Sequence, residues 1–308
     1  MKLKKLFQGT FEQSKEIIMK RNWLLYSNDY RNINHNSFFT RIFTILLFLG
    51  FMLMTWSFIY LSLDSKGKNL NLAPNTGNYV YGVGRVVQVV FFIVLILELM
   101  VCFRRLFPFK NLANFMNNGF NIMILWILST IISILPLALG ISLGNSGIIA
   151  TIVAAIIVVD FEIYHFRSWL MDSLQKMYGT KEKLNIFDKF NKKLLPIDEF
   201  KTFVRLIGIF FIIAICGIFE TNGQVGPSWK ERLLIGLIVP LLYVILIEIL
   251  RLSFSAKLSW YYIKKYPTEY RLYYKISDKL WYLGEKRAAK HPSVYRPEDE
   301  KKINSNEI

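Results

Sequence analysis

The sequence predicts an all-α, polytopic membrane protein with six transmembrane helices and both termini in the cytoplasm. An interfacial amphipathic helix precedes the first span and a helical cytoplasmic tail follows the last. Three observations carry this expectation. Ile42–Leu63 runs for 22 residues and Phe120–Leu143 for 24 without a charge, about what a helix needs to cross a hydrocarbon core of roughly 30 Å. The chain of 308 residues is 53% hydrophobic with a mean hydropathy of +0.33. That excludes a disordered chain and argues against a water-soluble globular domain, and the runs lack the strict alternation of outer-membrane strands. The third observation is where the basic residues fall.

Six spans are read at Ile42–Leu63, Val86–Phe107, Phe120–Leu143, Ser146–Phe166, Phe203–Phe219 and Leu233–Leu250. Of 38 Lys and Arg, 33 fall in residues 1–41, 104–110, 165–205 and 251–308. The other five are Lys66, Lys68, Arg85, Lys230 and Arg232. The positive-inside rule puts the first group in the cytoplasm, and an even span count agrees with that. The net charge of +16 is therefore a topology signal, and nucleic acid is not an expected partner. The expected surroundings are a lipid bilayer, the cell membrane. Abundant Lys, Ile and Asn with sparse Ala point to a bacterial source. The first apolar run begins at residue 42, behind a basic leader, and is too long for the core of a cleavable signal.

The leader, residues 1–41, carries Leu3, Leu6, Phe7, Phe11, Ile17, Ile18, Leu24 and Leu25 at helical spacing over 3–25. Such a basic amphipathic helix lies in the membrane interface or packs on the protein's own cytoplasmic segments. Gly67, Pro74, Asn75, Gly77, Gly82 and Gly84 mark Ser62–Gly84 as an irregular outer loop. Gly144-Asn145-Ser146-Gly147 leaves room for only a tight turn, so spans three and four form an antiparallel hairpin. Phe107-Pro108-Phe109-Lys110 breaks the chain after span two, and 108–119 and 167–202 are cytoplasmic loops. Leu195-Pro196-Ile197-Asp198-Glu199 reads as a helix start. The tail, 251–308, mixes Tyr and Trp with Lys in the manner of an interface anchor, then ends in a polar, disordered stretch from Arg296.

Four acids lie inside the spans, Glu98, Asp160, Glu162 and Glu248, and charge at membrane depth marks function by default. At about 1.5 Å per residue, Glu98, Asp160 and Glu248 sit roughly 18–23 Å below the outer ends of their spans. If they face one another they form a carboxylate ring for a cation or protons. Structural pairing is the competing reading. Glu248 has Arg251 and Glu162 has His165 three residues on, the spacing of helical neighbours. Glu98 and Asp160 lack such partners, so Arg41 and Arg205 at span ends are their candidate counter-charges. Ser129, Ser133, Pro136, Gly140 and Gly144 form a small-residue stripe on span three, suited to close helix packing or to an opened helix beside a cavity.

No phosphate-binding loop, zinc motif, nucleophile elbow or cysteine pair occurs, so no catalytic residue, cofactor or metal is expected. Pro196-Ile197-Asp198-Glu199-Phe200-Lys201 fits the mitochondrial-carrier signature once and in the wrong place. The layout, though no motif, resembles that of type-2 ABC exporter permeases, in which a short cytoplasmic helix after span two docks on the ATPase. The resemblance implies a transport component, with Arg104, Arg105, Phe107 and Phe109 contacting the ATPase. The alternative is a non-transporting bacterial immunity, regulatory or assembly protein that binds a partner.

Overall fold

The computed structural model describes residues 5–18, 38–64, 74–179, 199–220 and 228–295. These residues are all helical or irregular, with no strand among them. The helices are α1 (Phe11–Lys15), α2 (Phe38–Leu63), α3 (Pro74–Phe103), α4 (Leu112–Ser146), α5 (Ile148–Tyr178), α6 (Glu199–Glu220), α7 (Trp229–Lys265), α8 (Pro267–Tyr274), α9 (Asp278–Trp281) and α10 (Glu285–Ala288). Within α2, α3, α4, α5 and α7 lie five stretches long and apolar enough to cross a membrane. In α6 the apolar stretch is shorter, Val204–Phe219. Val86, Val89, Val90, Ile93, Ile96, Leu97, Met100 and Phe103 make a continuous exposed stripe along α3. So much apolar surface on one helix needs lipid, not water, to cover it. The chain is a multi-pass membrane protein.

Local signals explain where the helices begin and end. Asn111 caps α4 by accepting the Asn114 N–H at 3.0 Å, and Ser228 forms a capping box with Glu231 at the start of α7. Gly147, at φ +81°, is the whole connection between α4 and α5, a conformation glycine adopts without steric cost. The expected hairpin is thus made with a one-residue turn. The expected irregular loop is corrected in its second half, since residues 74–84 belong to α3. Packing overrides the glycine signal there. A Cβ on Gly140 would lie 2.6 Å from the backbone N and Cα of Val80, so α3 and α4 touch backbone to side-chain-free backbone.

Helix α4 is the hub and contacts α2, α3, α5, α6 and α7. On one side Ile59, Val87 and Phe91 close the α2–α3–α4 packing. On the other, Val158, Phe161, Leu206, Phe210 and Val244 join α5, α6 and α7.

At one end α4, α5 and α7 run on together and build a further core. Leu112 and Ala113 of α4, Leu174 and Met177 of α5, and Trp260, Tyr262 and Ile263 of α7 meet Tyr270, Ile276 and Trp281 there. Leu6 and Ile18 of the leader complete the cluster. Residues 5–18 therefore pack on the protein's own helices, as the second of the two placements expected for the leader has it. The reason is specific hydrogen bonding. Tyr262 donates its hydroxyl to the Leu6 carbonyl and accepts the Gly9 N–H at 3.0 Å. Tyr266 donates to the Gly9 carbonyl at 2.8 Å, and Ser14 pairs with Tyr270 at 2.6 Å. Burial pushes the Tyr270 phenol upward from its ordinary value, so it remains a neutral partner for Ser14.

Of the tail's aromatic residues, Trp260, Tyr262, Tyr270 and Trp281 lie buried in this core. Arg271 is buried against Asp278 with the rings of Trp281 and Tyr282 beside it. Tyr295 donates to the carbonyls of Arg271 and Ile276, each at 2.6 Å, tying the chain back as far as that residue. The leader beyond residue 18, the helix start at Leu195–Asp198 and the tail from Arg296 lie outside the described residues.

Candidate functional site

The four intramembrane acids do not form one ring. Glu98 faces α2 and α4, whereas Glu162 and Glu248 lie in the α5–α7 half of the bundle. Asp160 is half-buried on α5 and joins neither group.

Glu248 is the best satisfied. Arg251 donates Nε to its Oε2 at 2.7 Å from one turn further along α7, the pairing that the spacing predicts. His165 of α5 meets Oε1 at 2.8 Å through Nδ1. His165 thus bridges to another helix and does not serve Glu162, its neighbour in sequence. Glu162 is 9% exposed, and its Oε1 is sealed off with no hydrogen-bond partner among the described residues. The α5–α7 contact therefore holds Glu248, His165 and Arg251 in one network, with Glu162 close by but not bonded into it.

Glu98 is 5% exposed, and neither carboxylate oxygen has a hydrogen-bond partner among the described residues. A void of about 10 Å³ adjoins it, bounded by Phe48 and Met52 of α2, Cys102 of α3, and Ile122 and Trp126 of α4. Arg41 does not reach it and donates Nη1 to the Leu106 carbonyl at 2.7 Å. Arg205 stands on the exposed side of α6.

A larger cavity, about 280 Å³, lies between the legs of the α4–α5 hairpin with α6 and α7 behind it. Leu135, Ala138, Ala154, Ala155, Ala214 and Val239 are among its walls. Its few polar groups are Ser142, Ser146, Thr151 and Tyr243. Tyr243 donates to the Ile131 carbonyl at 3.2 Å and Thr151 to that of Gly147 at 2.7 Å. The Ser146 hydroxyl is buried without a partner among the described residues. The apex above is tightly closed, because a Cβ on Gly236 would meet Ala214 Cβ at 2.8 Å and Ser146 Oγ at 3.3 Å. Val159 in the wall is 57% exposed, so the cavity opens sideways onto the face that lipid covers. Its volume is roughly twice that of an apolar cavity able to admit benzene. The arrangement can hold a hydrocarbon group and offers one free hydroxyl.

The four docking candidates divide. Arg105 turns inward, donating Nε to Asn118 Oδ1 at 3.1 Å with Phe115 stacked 4.7 Å from its guanidinium. Phe109 is buried against Phe115, and its carbonyl accepts from Arg287 at 2.6 Å. Only Arg104 and Phe107 reach the surface, Phe107 at 62% exposure.

Sequence reasoning missed the large cavity. Its signal was the gathering of Ala138, Ala150, Ala154, Ala155 and Gly236 in a chain poor in alanine. Among the described residues no three His, Cys, Asp or Glu gather in a way that would hold a metal ion. Compared with known protein families, curated proteins and solved structures, the chain matches none.

Proposed function

We propose that this chain is a transport component of a bacterial cell membrane, crossing it six times with both termini in the cytoplasm. Parity supports the six spans. The leader, the start of α4, the end of α5 and the end of α7 all share one core, so all stand on one side. On this reading the chain leaves that side at the end of α5 and regains it at the end of α7, which supports a crossing by α6 as well. At about 1.5 Å per residue, α6 reaches roughly 33 Å end to end and its apolar stretch Val204–Phe219 about 24 Å, so a crossing there sets Lys201, Arg205 and Glu220 at the borders of a core of about 30 Å. The 33 basic residues on the same side as the termini give the orientation.

The observation that carries transport is the 280 Å³ apolar cavity inside the bundle, open to the lipid face. Pockets between bundle helices are where membrane proteins hold small ligands. The wall chemistry selects an apolar or amphipathic molecule that enters from the bilayer. In a permease-like subunit of an ATP-driven exporter, the ATPase would meet the turn between α3 and α4, where Arg104 and Phe107 are exposed. The same exposed turn favours the second reading, a regulatory or immunity protein that binds a partner there and moves nothing.

Inverted vesicles containing the protein separate the two. A lipophilic fluorescent reporter should accumulate in an energy-dependent manner, and Ala155→Trp, which fills the cavity from α5, should abolish that accumulation. Equal accumulation in vesicles without the protein, or in the filled variant, contradicts transport through the cavity and leaves the partner-binding reading.

A further inference from the structure

Glu98 and Ser129 are buried side by side on α3 and α4. Both carboxylate oxygens and the hydroxyl are cut off from solvent, with the hydroxyl close enough to the acid to pair with it but no well-formed hydrogen bond to any of them among the described residues. Unpaired polar atoms at this depth are rare, because each costs about 1–3 kcal/mol and a charge costs more. Three of them at one place, next to a void of about 10 Å³, ask for an occupant. That void is about the size that one water needs.

The surroundings decide the occupant. From α2 the void meets Phe48 and Met52, and from α4 Ile122 and Trp126, none of them titratable, while Ser129 of α4 stands beside Glu98 itself. On α3 itself Cys102 follows one turn later, and beyond it Arg105. The Arg105 guanidinium is held away by Asn118 and Phe115. Arg41 is engaged with the Leu106 carbonyl. Among the described residues no cation therefore faces Glu98, and an ionised carboxylate in such a place loses far more solvation than the site returns. A hard metal ion asks for about six oxygens, and two carboxylate oxygens with one hydroxyl fall short. A proton neutralises the acid in one step. It also turns an acceptor-only group into a donor, which Ser129 and a water can each accept.

We infer that Glu98, Ser129 and the void between α2, α3 and α4 form a binding site for one proton and one water. The contrast lies within the same bundle, where Glu248 is held by Arg251 and His165 and needs no such occupant. The inference does not depend on the transport reading, since the site lies apart from the large cavity.

Infrared spectroscopy of the purified protein in lipid nanodiscs tests it. At neutral pH the wild type should show the C=O band of a protonated carboxyl group. Glu98→Gln should remove that band and Glu162→Gln should leave it. Ser129→Ala keeps the acid but removes a hydrogen-bond partner, so the band should move to higher frequency. No band in the wild type, or an unchanged band in Glu98→Gln, overturns the inference. If Glu98→Gln does not fold, Ser129→Ala decides, and an unshifted band overturns it. A band that sodium or potassium chloride abolishes assigns the site to a metal cation and also overturns it.

Discussion

Removing one oxygen atom tests how the leader is held. Tyr262 is fully buried, and its hydroxyl joins the Leu6 carbonyl to the Gly9 N–H. Tyr262→Phe keeps the ring and its packing but strands both backbone groups. A stranded buried group costs about 1–3 kcal/mol, so the pair costs at least about 2 kcal/mol. The loss falls on the leader, because its other ties, from Tyr178, Tyr261, Lys265, Tyr266 and Tyr270, remain. Local opening should therefore become more frequent by about thirtyfold while the bundle stays intact. Amide hydrogen exchange of the protein in nanodiscs reads this directly. Exchange at Gly9 through Ser14 should accelerate, and exchange in α4 should not. Unchanged exchange at Gly9 refutes the hydrogen-bonded clasp. Protection that instead follows the anionic lipid content would return the leader to the bilayer interface.

Three further pairs of substitutions test the packing. Gly140→Ala drives a methyl group into the Val80 backbone and should destabilise by about 1–3 kcal/mol; Gly82→Ala meets nothing within 4 Å and should leave the melting temperature unchanged or slightly raised. Glu248→Gln weakens both ion pairs of a partly exposed network and should cost about 1–3 kcal/mol; adding Arg251→Gln should recover much of the loss, and a double variant no better than the single one argues against the pairing. Phe109→Ser should cost about 3–5 kcal/mol as a core truncation, whereas Phe107→Ser at the exposed edge should be close to neutral in the same thermal melts.

Much of the bundle was legible because a membrane imposes length and charge rules on each helix separately. The charge-free runs Ile42–Leu63 and Phe120–Leu143 fall within α2 and α4, and Gly147 marked the α4–α5 turn. The Glu248–Arg251 pair followed from helical spacing alone. What was not legible depends on contacts between helices. His165 sits three residues from Glu162, but helix packing turns it toward Glu248. The glycines of 74–84 look like loop punctuation, yet the α3 backbone there needs the close approach that Gly140 allows. Tyr and Trp among lysines describe an interface belt and a folded aromatic core equally well. Only the burial of Trp260, Tyr262 and Tyr270 together separates the two. The large cavity arises because the legs of the hairpin part, and composition records no helix angle.

The account rests most heavily on α6 crossing the membrane. Reporter fusions on either side of it test that claim, joined after Lys183 and after Gly226, with fusions after Lys68, Lys110 and Lys286 as references. Six spans predict an outside signal at Lys68 and Gly226 and an inside signal at Lys110, Lys183 and Lys286. An outside signal at Lys183, or the same side for Lys183 and Gly226, contradicts the six-span arrangement and the shared side of the two termini.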